Sequence, residues 1–140
     1  MNLLFYIAKN GNFSDWLIST WTQGPFSHVE LQFSDGICFS ASKRDGGTRF
    51  KKIDVIPEHW AKINVNCNEN KIRDWCQNQL GCKYDLLGVL GLALHIKYKN
   101  KKQWFCSELV GEALRVGGLI KLNKPLSPNG LWKVLVNKLL

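Results

Sequence analysis

A segment of strict alternation, repeated after a short turn, constrains the fold of this chain most strongly. Val29, Leu31 and Phe33 alternate with polar residues, and after a turn at residues 34–36 the alternation resumes over residues 37–42. Two such segments joined by a short turn predict an antiparallel β-hairpin. We therefore expect a sheet at the centre of the fold.

The register of this hairpin follows from the same pattern. Pairing Phe33 with Ile37 keeps the polar residues of both strands on one face, whereas a slip by one residue mixes the two faces. This register sets Glu30 opposite Ser40. His28 belongs to the same polar set, so the sequence predicts a polar sheet face that carries a histidine.

Hydrophobic spacing elsewhere predicts the other elements of an α+β fold. Asn68 and Ser127 have the chemistry of helix N-caps, while Gly81 and the glycine pair at 117–118 are typical of helix ends. We expect strands over residues 3–8, 48–55 and 61–65, a helical turn at 58–60, and helices over residues 15–21, 69–80, 84–96, 106–117 and 128–139. The helix over residues 69–80 is expected to carry Ile72, Trp75, Cys76 and Leu80 along one stripe, and the last helix runs through Trp132, Val136 and Leu139.

The length of 140 residues suits one domain, residues 1–140, in which helices pack on a central antiparallel sheet. The first residues are apolar but have no basic leader, and Lys9 interrupts them, so they predict a strand and no signal peptide. The longest later apolar stretch, residues 86–96, is too short to span a bilayer. These features predict a cytoplasmic protein.

The cysteines and histidines do not form a metal-binding pattern. The five cysteines contain no CxxC pair, and an odd number cannot close completely into intramolecular disulfides, so reduced thiols are expected. The histidines form no cluster with the spacing of zinc ligands, and we expect no metal and no other cofactor. Structural positions are expected for His59, His95, Cys38, Cys67, Cys76 and Cys82.

A net charge of +8 is concentrated in two basic clusters. Such clusters attract acidic polymers or anionic lipid head groups, although most surface charge is simply solvated. No helix-turn-helix, zinc-finger or RNP pattern is present, so nucleic acid is not an expected partner, whereas peripheral membrane contact stays open. The sequence does not set the oligomeric state. The clusters are residues 97–102, with four lysines, and the set Lys43, Arg44, Arg49, Lys51 and Lys52.

A cysteine at the predicted start of a helix is the strongest candidate for chemistry. Cys106 opens the helix that runs to the glycine pair, and the positive end of a helix dipole favours thiolate. His28, on the polar strand face, is a plausible base for this thiol. We therefore expect Cys106 to act as a nucleophile and His28 as its general base.

Four short motifs follow one another over about three quarters of the chain. They are Ser27-His28-Val29, Gly81-x-x-Tyr84-Asp85, Phe105-Cys106-Ser107-Glu108-Leu109 and Leu126-Ser127-Pro128. In this order the chain resembles the circularly permuted branch of the NlpC/P60 superfamily, papain-like hydrolases that include the YiiX and YaeF type and the lecithin:retinol acyltransferase type. The resemblance implies a circularly permuted papain-like fold in which the histidine precedes the nucleophilic cysteine.

Two residues are candidates for the group that orients the histidine. Glu30 lies two residues after His28 on the same face, and Ser40 lies where relatives of this superfamily often place a polar residue ahead of an alanine. We favour Glu30, because a carboxylate stabilises imidazolium better than a hydroxyl does. Tyr84 matches a tyrosine that the superfamily places near the nucleophile, where its hydroxyl could help to hold an oxyanion.

The resemblance implies a cysteine hydrolase that cleaves amide bonds through an acyl-enzyme, with peptidoglycan stem peptides as the substrate class. Two alternatives remain. One is a lipid or small-molecule acyl hydrolase or acyltransferase, for which the apolar segment 86–94 beside the lysine cluster could face a membrane. The other is a non-catalytic binding module that uses its basic face. A fold analogy alone does not choose the substrate.

Overall fold

A computed structural model describes residues 1–10, 23–93 and 102–139 of the chain. These residues contain seven strands and four α-helices, and the expected helix at 15–21 lies outside them. The strands are β1 Asn2–Ile7, β2 Phe26–Gln32, β3 Ile37–Ser42, β4 Gly47–Lys52, β5 Trp60–Asn64, β6 Lys83–Tyr84 and β7 Gln103–Trp104. The helices are α1 Glu69–Asn78, α2 Leu86–Ala93, α3 Cys106–Val116 and α4 Pro128–Leu139.

The strands form one sheet in the order β5-β1-β2-β3-β4-β6-β7. Its neighbouring strands are antiparallel, apart from the short parallel pair β6 and β7. Helix α3 packs against β2 and β3, and α4 packs against β2. The predicted α+β class, with helices on a mostly antiparallel sheet, is confirmed. Among the described helices, none has both the length and the apolar character needed to cross a membrane.

The predicted hairpin register is confirmed where β2 and β3 pair. Leu31 lies opposite Phe39, and Phe33 N donates to Ile37 O at 2.9 Å. The paired residues stop there, and beyond them the Ser40 hydroxyl donates to Val29 O at 2.7 Å. The Ser40 side chain therefore continues the contact between β2 and β3 at Val29, the residue next to His28.

The core lies between the sheet and the two C-terminal helices. Val29 and Leu31 from β2 are fully buried there with Leu109 of α3 and Leu131 of α4. Burial of a side chain of this size stabilises a fold by roughly 1.5–3 kcal/mol. The apolar half of the alternation thus anchors β2 and leaves its polar half for the site.

Side-chain caps begin three of the helices. Asn68 Oδ1 accepts from Lys71 N at 3.0 Å, and Ser127 Oγ accepts from Gly130 N at 3.1 Å, which confirms both predicted N-caps. Asp85 Oδ1 accepts from the backbone N of residue 88 at 2.7 Å, at the start of α2. Helix α2 is described only to residue 93, so the predicted continuation to 96 lies outside the described residues.

Several predicted boundaries and burial patterns are wrong. Strand β4 ends at Lys52, because that residue pairs with Ile37, the first residue of β3, and no partner strand continues beyond it. Leu80 is 49% exposed, since it follows the end of α1. Helix α4 runs through Leu139 as predicted and buries the stripe that contains Leu131 and Leu135.

Strands β6 and β7, each two residues long, were not predicted from the sequence, and Tyr84 lies in β6 because the helix expected from residue 84 begins at Leu86. Their pairing sets Tyr84 beside Trp104, two residues before α3 begins. Gly47 of β4 pairs with Lys83, and a side chain at Gly47 would collide with the carbonyl of Cys82. These short strands therefore connect the sheet to the start of α3.

Candidate functional site

Cys106 is the first residue of α3 and is almost completely buried, at 4% exposure. Phe105 precedes it in an extended conformation and supplies no side-chain cap. The backbone N–H groups of a helix's first turn have no partner within the helix, and the helix dipole is positive at this end. The position therefore sets the sulfur where backbone N–H groups can stabilise negative charge.

His28 of β2 connects this thiol to the sheet. Its imidazole is hydrogen-bonded to the side chain of Cys106, and its Nε2 donates to Glu30 Oε1 at 2.7 Å. Because Nε2 is bound to Glu30, Nδ1 is the nitrogen that remains for the sulfur. The structure thus brings Cys106, His28 and Glu30 into one hydrogen-bonded row.

The surroundings of His28 favour its protonated form. Burial by itself would lower the pKa of the imidazole, because it disfavours the charged ring. The attraction of the Cys106 sulfur, its hydrogen bond and the carboxylate of Glu30 outweigh this effect and raise the pKa of His28 from 6.5 to about 10. An imidazolium that faces the Cys106 sulfur is the arrangement that this geometry supports near neutral pH.

Glu30 is buried, at 1% exposure, yet its carboxylate is well bonded. Arg49 donates from Nη2 to Glu30 Oε1 at 2.7 Å and from Nη1 to Oε2 at 2.9 Å. Burial alone would raise the pKa of Glu30, but the contacts with His28 and Arg49 lower it below its usual value. Glu30 is therefore held as a carboxylate.

Arg49 is the residue that sequence reasoning assigned to a solvated basic cluster, and that interpretation is wrong for it. It lies on β4 opposite Ser40, which is on the strand between it and Glu30. The Asp45 carboxylate holds it from the other side, with Arg49 Nε donating to Oδ2 at 2.7 Å. The sequence predicted a strand over residues 48–55 that contains Arg49, but it did not set the register of that strand against β3.

The two other predicted site residues occupy different places. Ser40 is fully buried, and its hydroxyl donates to a backbone carbonyl. The ring nitrogen of His28 that an orienting group would bind is hydrogen-bonded to Glu30 instead. Tyr84 is half-buried on β6 and lines the same cleft as His28. It also pairs with Trp104, close in sequence to Cys106.

An open cleft of about 600 Å³ is lined by His28 and Glu30 of this row. Tyr6 and Trp60 form an aromatic wall, and the Trp60 ring centroid lies 6.5 Å from that of His28. The opposite side is formed by the β3–β4 turn and strand β4, which contribute most of the second basic cluster's charge. The charged lining residues there are Lys43, Arg44, Asp45, Arg49, Lys51, Lys52 and Asp54.

Other candidates stay apart from this row. His59 packs edge-on against Tyr6, with ring centroids 6.3 Å apart, and His95 lies outside the described residues. All five cysteines are free, and burial raises the pKa of Cys38 and of Cys76 to about 12. Within residues 1–10, 23–93 and 102–139, no group of three or more His, Cys, Asp or Glu side chains is arranged to hold a metal ion.

The chain was compared with models of protein families and with curated protein sequences, and it matches none of them. The functional interpretation therefore rests on the geometry of the row and on the resemblance carried by the four sequence motifs.

Proposed function

We propose that the protein is a cysteine hydrolase with a circularly permuted papain-like fold, which cleaves amide bonds through an acyl-enzyme. The observation that carries the proposal is the hydrogen-bonded row in which Cys106 meets His28 and His28 meets Glu30. A nucleophile, its base and an orienting acceptor in that order form the arrangement of a catalytic triad.

Each step uses a group of this row. The Cys106 thiolate attacks the carbonyl carbon, and the protonated His28 then donates its proton to the departing amine as the C–N bond breaks. In the second half, His28 accepts a proton from water, whose oxygen attacks the thioester; the C–S bond breaks, the acid is released, and the Cys106 thiolate is left beside the protonated His28. Glu30 keeps the imidazole aligned in both halves.

The negative charge that develops on the substrate's carbonyl oxygen must be stabilised by hydrogen-bond donors close to that oxygen. The backbone N–H of Cys106 lies at the start of α3, where the helix dipole favours negative charge. The hydroxyl of Tyr84, from the lining of the cleft, is the second donor in this proposal. Together they form the oxyanion hole.

Peptidoglycan stem peptides are the proposed substrate class. The resemblance to the permuted NlpC/P60 branch implies them, and the cationic side of the cleft suits their carboxylates. The aromatic wall of Tyr6 and Trp60 supplies a surface for the less polar part of the substrate.

A second candidate function is hydrolysis or transfer of an apolar acyl group. Leu86 and Leu87, directly after Tyr84 and Asp85, are 50% and 57% exposed. An apolar surface so close in sequence to a cleft residue suits a lipid substrate or a membrane surface. This candidate uses the same nucleophile and base, and it differs in substrate.

One experiment separates the candidates. The purified protein is incubated with peptidoglycan fragments and with ester lipids, and a thiol-directed acyl probe followed by mass spectrometry locates the acylated residue. We expect new amino termini from peptidoglycan and acylation of Cys106, both lost in Cys106→Ala. Release of fatty acid without peptide cleavage would favour the second candidate. The same products from Cys106→Ala as from the wild type would contradict the role of Cys106 in both candidates, whereas a wild type that cleaves neither substrate and is not acylated would favour a binding module.

A further inference from the structure

Glu30 shares one oxygen between two partners. Its Oε1 accepts from His28 Nε2 and from Arg49 Nη2, both at 2.7 Å, while Oε2 accepts from Arg49 Nη1 at 2.9 Å. The planar guanidinium thus binds the carboxylate in a two-point fork, which fixes the plane of the carboxylate as well as its position. The direction from which Oε1 faces His28 depends on Arg49.

The arginine is itself fixed. Arg49 Nε donates to Asp45 Oδ2 at 2.7 Å, and Lys51 Nζ donates to the other oxygen of Asp45 at 3.0 Å. Arg49 is 17% exposed, so its charge is only partly screened by water. Ionic hydrogen bonds therefore run from Asp45 through Arg49 and Glu30 to His28.

Burial makes this support necessary. Glu30 is inaccessible to solvent, and a buried carboxylate without a cation takes up a proton. His28 alone cannot keep it ionised, because the imidazole loses its own charge when it donates its proton as a general acid. Arg49 keeps its charge throughout the turnover.

We propose that Arg49 is a positioning residue for the candidate active site: it holds Glu30 as an oriented carboxylate and so keeps the Cys106–His28 pair reactive under mildly acidic conditions. The inference rests on the proposed role of Cys106 as a nucleophile. It assigns a function to a cation that the sequence alone places with the solvated surface charges.

The test measures the alkylation rate of Cys106 by iodoacetamide against pH, from about pH 5 to pH 9, and uses no substrate. In Arg49→Gln we expect the pKa of Glu30 to rise. The alkylation rate at the acidic end should then fall roughly tenfold or more relative to the wild type, which corresponds to a shift of the rate profile by at least about one pH unit. Arg49→Lys keeps the charge but loses the fork, and we expect a partial rescue.

A matched control removes a different arginine ion pair. Arg73 donates from Nη2 to Asp35 Oδ2 at 2.7 Å, near the turn of the β2–β3 hairpin and at the opposite end of β2 from His28. Arg73→Gln should leave the alkylation profile unchanged. Circular dichroism establishes that each variant is folded. If Arg49→Gln does not fold, Arg49→Lys and Asp45→Asn test the positioning role in its place. In both variants we expect the alkylation rate at the acidic end to fall below that of the wild type.

The outcomes separate the two claims. Superimposable profiles for the wild type and the folded Arg49 variants would contradict the positioning role. A profile that shifts equally in Arg73→Gln would contradict it as well, because the effect would not be specific to Glu30. If the Arg49 variants show the expected shifts but the wild-type protein hydrolyses no amide, the proposed function alone would be contradicted.

Discussion

Asn129 exchanges two hydrogen bonds with the backbone of Phe26. Asn129 Nδ2 donates to Phe26 O at 2.8 Å, and Phe26 N donates to Asn129 Oδ1 at 3.0 Å. The amide imitates a neighbouring strand at the residue where β2 begins, two positions before His28. Helix α4 thereby fixes the start of the strand that carries the candidate base, and sequence reasoning missed this residue.

Asn129→Asp tests that contact with a nearly isosteric change. The new oxygen cannot donate to Phe26 O, so a buried carbonyl loses its donor and a carboxylate is buried beside it. We expect a loss of about 2 kcal/mol or more in the free energy of unfolding, measured with urea, and slower alkylation of Cys106. Asn64→Asp, at an exposed asparagine, should change the stability by less than about 0.5 kcal/mol. Equal effects in the two variants would contradict the role of Asn129.

Cys106 should be the most reactive of the five thiols near neutral pH. It combines a helix N-terminus with a hydrogen-bonded imidazole, whereas burial raises the pKa of Cys38 and of Cys76 to about 12 and also raises that of Cys67. Limiting iodoacetamide followed by peptide mapping measures this order. Labelling of Cys82 with Cys106 untouched in the folded protein would show that Cys106 is not the nucleophile.

Glu30→Gln should lower turnover strongly. The amide has no charge and only one accepting oxygen, so its NH2 group would face Arg49 Nη1 donor to donor. A thiol nucleophile depends less on an orienting carboxylate than a serine does, so we expect a loss smaller than the ~10⁴-fold seen for the equivalent change in a serine protease. The side chain is fully buried against Arg49, so we also expect a loss of stability.

Ser40→Ala is the partner of that experiment. It removes one hydrogen bond to Val29 O, worth about 1 kcal/mol, and leaves the bond between His28 and Glu30 in place. We expect nearly normal turnover, measured as kcat under conditions where both variants are folded. A large loss in Ser40→Ala with full activity in Glu30→Gln would transfer the orienting role to the serine.

The titration of His28 should depend on Cys106. With a folded-state pKa raised from 6.5 to about 10, the imidazolium contributes stability that is complete below about pH 6.5 and is lost as the pH rises toward 10. In Cys106→Ala the attraction of the sulfur is gone, so the ring should titrate at lower pH, and the alkaline loss of stability should be smaller and complete at a lower pH. NMR titration of the imidazole protons measures both values, and identical titration curves would contradict the pairing.

The local part of the site follows from short patterns in the sequence. The alternation in β2 and β3, the register that it imposes and the start of α3 at Cys106 are all confirmed, because each depends on residues that are close together in the chain. The N-caps Asn68 and Ser127 follow for the same reason.

Arg49, Asn129 and the strands β6 and β7 were determined only by the tertiary structure. Arg49 meets Glu30 across an intervening strand, and Asn129 meets Phe26 across 103 positions of the chain. Two-residue strands have too few residues to show a period, and a surface charge and a buried ionic partner look the same in a sequence. Sequence by itself determined which residues share a face of a strand or helix, since that depends on backbone geometry, whereas the partners of those faces depended on the packing of the whole chain.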